Sequence, residues 1–156
     1  VDHAPFELVA ARFELVALLR RTEVGTLYRA RHVELGRECA LWLLRASTDG
    51  RQLEAASAAS RVNHPHVASI YDFGTEPGGR VYLAMELLQG DTLQQVLERH
   101  GRLPWRRAVG IAAQICRGLR AAHGCGIVHG DLQASSVVLT DVGEERDHVK
   151  LVGFGL

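Results

Sequence analysis

The sequence predicts an α+β fold in which antiparallel strands come first and helices follow. Short apolar runs separated by turn residues recur through the first half of the chain. The second half contains a long segment whose apolar residues recur at helical spacing. The composition fits this class, because 156 residues with 47% hydrophobic and 23% charged side chains are typical of a globular chain with one ordinary core.

Five strands are predicted, each an apolar run bounded by residues that favour turns. They cover residues 13–19, 26–31, 38–44, 67–73 and 81–87. The first two form a hairpin with Gly25 in the turn region, and the turn-prone pair Leu35 and Gly36 precedes the third. The last two are joined across 74–79, whose glycines and proline indicate a tight turn.

Three helices are predicted. The first covers 49–62, a segment rich in Ala and Glu, and Pro65 ends it because proline disfavours helical geometry in the preceding residue. A short helix over 92–99 follows, with Asp91 as its N-terminal cap. Pro104 then opens a long helix, at a position where its missing N–H costs nothing.

The long helix continues to His123 and is expected to bury one apolar face. The residues expected on that face recur at helical spacing, and they are Val109, Ala112, Ile115, Cys116, Leu119 and Ala122. Gly124 and Gly126 predict where the helix stops.

Charge and composition limit the partners and the location. Eighteen basic and eighteen acidic residues cancel, so no net field favours nucleic acid. The longest apolar run, 109–122, contains Gln114, Arg117 and Arg120 and is shorter than the ~20 residues of a membrane span. The three cysteines form no CxxC pair, which suits a reducing compartment and offers no zinc site. Since no secretory signal is visible after Val1, we expect a cytoplasmic protein.

The most informative motif is His-Gly-Asp-Leu at 129–132, which is followed by Gly-Phe-Gly at 153–155. Protein kinases carry H-R-D-L-K-P-x-N and then D-F-G at about this separation. The histidine, the first aspartate, the leucine, the phenylalanine and the last glycine match the kinase pattern. The arginine, lysine, metal-binding asparagine and metal-binding aspartate are replaced, in that order, by Gly130, Gln133, Ser136 and Gly153.

Further blocks make this resemblance specific. Residues 19–30 match the family's Gly-rich loop, 63–67 the turn after its first helix, 82–88 its hinge and 126–129 the approach to its catalytic loop. From residue 12 onward the chain therefore resembles the first part of a bacterial-type Ser/Thr protein kinase domain.

The resemblance implies a protein-kinase-like fold, with a five-stranded antiparallel N-lobe sheet, one helix, and a truncated, mainly helical C-lobe. The implied boundaries are an N-terminal extension at 1–11, the N-lobe at 12–87, and the hinge with a partial C-lobe at 88–156. Because the sequence stops before the activation segment of the family, we expect the chain to belong to a longer protein.

The residues that handle phosphate in the family are changed. Arg20 and Thr22 stand where the first two glycines of the loop should be, and only the third, Gly25, is kept. Trp42 replaces the lysine that reaches the phosphates. The helix glutamate that holds this lysine aligns with Ala55. Glu54 is one residue away, and that offset rotates a helical side chain by about 100°.

Some kinases relocate this lysine to another strand. Arg20 and Arg21 are the only basic candidates near the loop, and neither supplies a metal ligand.

The apolar slot for adenine is better preserved. The resemblance implies walls formed by Leu27, Ala40 and Val138, a back guarded by Met85, and a hinge from Glu86 to Leu88. Trp42 is long enough to fold into the emptied phosphate region, and our hypothesis is that it plugs the vestigial nucleotide cleft.

Two residues of the catalytic loop keep a possible role. Asp131 is the candidate base, or it is retained because it bonds the loop backbone, whereas His129 is expected to pack against the D-F-G region. Gly130 replaces the arginine that in many kinases grips a phosphorylated activation segment, so control by that phosphate should be absent.

These changes predict a catalytically inactive pseudokinase that acts as a protein-interaction or regulatory module. We expect ATP binding to be weak or absent, magnesium not to bind, and no metal site to exist. The expected partner is a protein or the remainder of a longer chain, with no nucleic acid and no membrane span. The alternatives are a Ser/Thr kinase with weak or unconventional phosphotransfer, and an inert fragment of a decayed gene.

Overall fold

The computed structural model describes residues 8–45 and 51–154, except for the side chains of Arg51 and Glu145. These residues divide into two compact units. The first contains 8–45, 51–57 and 70–87, and the second contains 58–69 and 88–154. The segment 58–69, which sequence reasoning had placed in the N-lobe, therefore groups with the second unit.

The first unit is built on a six-stranded antiparallel sheet in the order β1-β2-β3-β4-β6-β5. The strands are β1 (Leu8–Val9), β2 (Phe13–Arg21), β3 (Gly25–His32), β4 (Glu38–Leu44), β5 (Ile70–Thr75) and β6 (Val81–Met85). The five predicted strands are confirmed, and β1 is an addition inside the predicted N-terminal extension. Two residues are too few to give a period-two signal, so sequence reasoning could not find β1.

One face of this sheet carries the core of the unit. Successive side chains of a strand point to opposite faces, so Cys39, Leu41 and Leu43 of β4 enter the core together. The other members of the cluster are Val9, Phe13, Leu15, Tyr28, Ala30, Tyr82 and Ala84. Arg12 closes the start of β2 onto β5 through an ion pair with Asp72 at 3.0 Å.

Two predicted boundaries of the first part needed correction. The predicted strand 67–73 begins at Ile70, because Val67 instead forms an isolated parallel bridge with Leu151 in the second unit. Helix α1 covers Arg51–Ala59, so it ends three residues before the predicted limit at Val62. The predicted start at Asp49 lies outside the described residues.

The second unit combines two helices with a three-stranded antiparallel sheet in the order β7-β8-β9. Its elements are β7 (Gly90–Thr92), α2 (Leu93–His100), α3 (Trp105–Gly124), a 3₁₀ turn (Ala134–Ser136), β8 (Val137–Val142) and β9 (Glu145–Leu151). The prediction of a mainly helical second part missed this sheet, because β7 is very short and the first half of β9 is charged.

The cap of α2 differs from the prediction by one residue. Thr92, not Asp91, is the N-cap, since Thr92 Oγ1 accepts a hydrogen bond from Gln95 N at 3.2 Å. The Gln95 side chain returns a bond from Thr92 N at 2.8 Å, which completes a capping box. Asp91 instead pairs with Arg99.

The buried face of helix α3 agrees only in part with the predicted face, since Ala122 is buried as predicted and Ile115 and Leu119 are half-buried. The buried positions are Ile111, Gly118 and Ala122, whereas Val109 is 59% exposed and Ala112 and Cys116 are also exposed. The contact face includes Gly118, which carries no hydrophobic signal, so the apolar pattern did not find the whole of this face. Among the described residues, no helix is both long and apolar enough to cross a membrane.

Polar contacts fix α3 to β9. Arg107 forms a bidentate pair with the Asp147 carboxylate at 2.8 and 2.7 Å. The Gln114 side chain donates to Asp147 O at 3.0 Å and accepts from Val149 N at 2.9 Å. These bonds hold the strand that leads into residues 152–154.

Candidate functional site

The catalytic-loop segment lies between α3 and the 3₁₀ turn of the second unit. His129 is buried, and its Nε2 lies 3.0 Å from the carbonyl oxygen of Val152. Because a carbonyl only accepts hydrogen bonds, Nε2 carries the proton. The ring also packs on Phe154, with the ring centroids 4.5 Å apart. This geometry supports the packing role, since His129 ties the loop to residues 152–154.

Asp131 is exposed and held by two neighbours in its own loop. Its Oδ2 accepts from Gln133 Nε2 at 2.6 Å, and its main-chain oxygen accepts from Ser136 Oγ at 3.3 Å. The resemblance aligns Gln133 and Ser136 with the lysine and asparagine of the family, and their side chains bond Asp131 without adding a positive charge. Gly130 beside it has φ +87°, a left-handed conformation that favours glycine.

The two positions that hold metal in the family are brought together by the backbone. Val152 N donates to Ser136 O at 3.0 Å, so residue 153 follows directly from that contact. Gly153 has φ +86°, and a Cβ placed there would have no heavy atom within 4 Å. The backbone contact and the space for a side chain at residue 153 are therefore present. Of these two positions, 136 and 153, only Ser136 supplies a side-chain oxygen, and that hydroxyl already bonds the main-chain oxygen of Asp131.

Magnesium prefers a near-octahedral set of oxygen ligands. Within the part of the chain that the structure describes, no group of three or more His, Cys, Asp or Glu side chains could hold a metal ion. Ser136 offers one hydroxyl oxygen and Gly153 offers no side-chain oxygen, so these two residues by themselves do not form such a set of ligands.

The resemblance places the family's Gly-rich loop at the turn between β2 and β3. Thr22 closes it, because both its N–H and its hydroxyl donate to Gly25 O, at 2.9 and 3.2 Å. A Cβ at Gly25 would lie 2.4 Å from Leu43 O, so the packing of β3 on β4 requires this glycine without any phosphate. Arg20 is exposed and pairs in register with Leu27.

The sheet face opposite the core carries the predicted pocket residues of the first unit. Trp42 lies between Leu27 and Leu83 in the strand register, and it is half-buried. Ala40 and Met85 are cross-strand neighbours on the same face, and both are buried. The alternation of side chains along β3 and β4 therefore sets the indole beside the residues that would line an adenine slot.

Sequence reasoning missed Arg29 on this face. Arg29 lies two residues after Leu27 on β3 and pairs in register with Ala40, and its Nε is buried with no hydrogen-bond partner among the described residues. Counting in steps of two from Leu27 would have found it. On α1, Glu54 is exposed and Ala55 is half-buried.

The remaining pocket residues are divided between the units. Leu27, Ala40, Met85 and Glu86 belong to the first unit, and Leu88 and Val138 to the second. Glu86 and Leu88 are half-buried after β6, and Val138 is buried in β8.

The cysteines offer no catalytic nucleophile on this sheet. Burial raises the pKa of the Cys39 thiol to about 11, so it is protonated at neutral pH. Cys116 and Cys125 are exposed, and all three thiols are free.

Comparison with known proteins places these observations in a family. The model of the protein kinase domain matches residues 13–156. The serine/threonine-protein kinase pkn3 of Myxococcus xanthus is 34% identical over 95% of the chain, which spans 28% of that protein. The serine/threonine-protein kinase PknA of Mycobacterium tuberculosis is also 34% identical over 95% of the chain, which spans 36% of it.

The fold has close counterparts among solved structures. The crystal structure of the Mycobacterium tuberculosis PknI kinase domain superposes with a TM-score of 0.84 at 26% identity, covering 99% of this chain and 63% of that one. The chain is a member of the protein kinase family and has the protein-kinase fold.

Proposed function

We propose that the chain is a kinase-like module without phosphotransfer activity, which acts by binding a partner protein in the cytoplasm. The observation that supports this most is Gly153. The family's metal-binding aspartate position carries no side chain, although His129 and Ser136 hold the backbone next to it through hydrogen bonds to Val152. The backbone around residue 153 is therefore held in place, but the carboxylate that would bind the metal is missing.

The size of the expected loss follows from the chemistry of phosphoryl transfer. That reaction depends mainly on positioning and charge stabilisation rather than covalent chemistry. Removing one preorganised electrostatic donor costs about 10²–10³ in rate. Here both the lysine and the aspartate positions are changed, to Trp42 and Gly153, and although such effects do not add simply, little activity should be left.

We also propose that Trp42 occupies the vestigial nucleotide region. Its register between Leu27 and Leu83 sets a large apolar ring where the family has a phosphate-binding ammonium group. Burying that ring stabilises the chain by ~25 cal/mol per Å² of apolar area. A nucleotide would have to displace the ring, and this stabilisation would then be lost. ATP binding is therefore weak or absent, and magnesium has no ligand set.

The exposed side of α3 is the surface that we propose for the protein partner or for the rest of a longer chain. Trp105 is 70% exposed and Val109 is 59% exposed, and Ala112 and Cys116 continue the same stripe. A groove of about 350 Å³ between α2 and α3 adjoins it, lined mostly by apolar side chains such as Leu97. A contiguous apolar area of this kind marks an interaction surface rather than a nucleic-acid site.

A second candidate is a weak Ser/Thr kinase. Asp131 favours it, because the carboxylate is retained at the position of the family's base and is oriented by Gln133. The named relatives are Ser/Thr kinases.

Incubation with labelled ATP, magnesium and casein separates the two candidates. We expect no transfer above background, and the same background in Asp131→Ala. Transfer that disappears in Asp131→Ala but persists in Asp141→Ala, a matched change at another exposed aspartate, would establish the kinase instead.

A further inference from the structure

Three histidines outside the catalytic loop lie together in the second unit. The ring centroids of His64 and His66 are 5.4 Å apart, and those of His66 and His148 are 4.8 Å apart. His66 is 8% exposed and His148 is 9% exposed. Buried histidines next to each other are unusual unless each ring has a defined partner.

Each of the two buried rings bonds to the backbone of the other's segment. His66 Nδ1 lies 3.1 Å from Val149 O, and His148 Nε2 lies 3.2 Å from Pro65 O. These nitrogens carry hydrogens because carbonyls only accept. His64 Nδ1 accepts from the backbone N–H of His66 at 3.1 Å, so it is unprotonated.

The cluster fastens segment 64–68 onto β9. Ala68 N donates to Leu151 O and Leu151 N donates to His66 O, both at 2.9 Å. Beyond Leu151 the chain enters Val152, which bonds His129. The histidines therefore hold the strand that positions the degenerate metal turn.

A second proton on the His66 ring would be added in a buried site that faces other basic side chains. From its own segment it faces His64, from β9 it faces His148, and from α3 it faces Arg117. Burial lowers the pKa of His66 below 6.5, and the neighbouring positive groups act in the same direction, against the hydrogen bond to Val149 O. The closed cluster thus disfavours protonation.

We propose that His64, His66 and His148 form a pH-sensitive clamp that holds segment 64–68 on β9 at neutral pH and loosens on acidification. When the segment opens, His66 reaches water and takes up a proton more readily than in the closed form. The stabilisation is therefore complete above pH 6.5, and it is lost as the pH falls from 6.5 toward the folded-state pKa.

Amide hydrogen exchange at Ala68 and Leu151 measures this opening. After correction for intrinsic rates, we expect their opening equilibrium to rise by up to about tenfold between pH 7.5 and 5.5, because a histidine with the ordinary pKa of 6.5 gains at most a factor of about ten over the one pH unit below that value. His66→Asn keeps a donor for Val149 O but does not titrate, so this variant should show almost no pH response. His123→Asn, at an exposed histidine of α3, should keep the full response.

Equal protection of these two amides at both pH values in the unaltered chain would overturn the proposal, whether or not the variants fold. A pH response of the same size at Leu41, in the core of the first unit, would also overturn it, because it would show global destabilisation. So would a His66→Asn variant with the pH response of the unaltered chain.

Discussion

The double variant Trp42→Lys with Gly153→Asp is expected to bind Mg·ATP at least about 100-fold more tightly than the unaltered chain. Each restored group adds charge-assisted bonds worth about 1.5–3 kcal/mol, and each 1.4 kcal/mol is a factor of about ten. The lysine would also replace the indole that we propose occupies the nucleotide region. The aspartate would enter open space, because no heavy atom lies within 4 Å of a Cβ at Gly153.

A control variant can carry the same conformational cost as this aspartate. Gly153 is left-handed with φ +86°, where a residue with a side chain loses about 1–2 kcal/mol. Gly143, with φ +60° and equal space, lies in the β8–β9 turn, so Trp42→Lys with Gly143→Asp has the same charges and a similar strain. Calorimetric titration with Mg·ATP should show that the control variant binds little more tightly than the unaltered chain. Equal gains in both variants would mean that the metal position is not what limits binding.

Gly118→Ala is expected to lower the free energy of unfolding of the second unit by about 1–3 kcal/mol, the usual range for overpacking. A Cβ at this position would lie 2.9 Å from His66 O and 2.8 Å from Leu151 Cδ1. The backbone oxygen cannot yield without moving segment 64–68 away from β9. The loss should exceed the helix propensity that alanine normally gains over glycine.

Gly110→Ala provides the control on the same helix. Gly110 is exposed, and a Cβ there would meet nothing within 4 Å, so alanine should raise the free energy of unfolding by about 0.5–1 kcal/mol. Urea denaturation measures the free energy of unfolding of both variants. If Gly118→Ala is as stable as Gly110→Ala, the close packing of α3 on segment 64–68 is not real.

Sequence patterns predicted strands β2 to β6 because each of these five strands has a clear apolar run. Predictions failed where the signal is local or absent. Leu8–Val9 is too short for a period, and the buried face of α3 includes Gly118, which has no side chain to count. Thr92 rather than Asp91 is the N-cap of α2, because Thr92 and Gln95 form a reciprocal pair of hydrogen bonds.

The candidate site was predicted mainly from motif positions, and the structure adds their contacts. The motif identified Asp131 and Gly153, but no pattern could show that Gln133 and Ser136 bond Asp131. Gly25 fits the Gly-rich loop of the family, and the structure adds that the backbone of Leu43 leaves no room for a side chain at this position. Arg29 could have been predicted on the same sheet face as Leu27, because side chains two residues apart on a strand share a face.

The central claim, that the phosphate-handling groups are lost and Trp42 occupies their place, is tested most directly by nucleotide titration. The chain has two tryptophans, so a Trp105→Phe background leaves Trp42 as the only indole reporter. Fluorescence should show no saturable change when Mg·ATP is added up to millimolar concentration. A saturable quench of Trp42 at micromolar Mg·ATP would contradict the account.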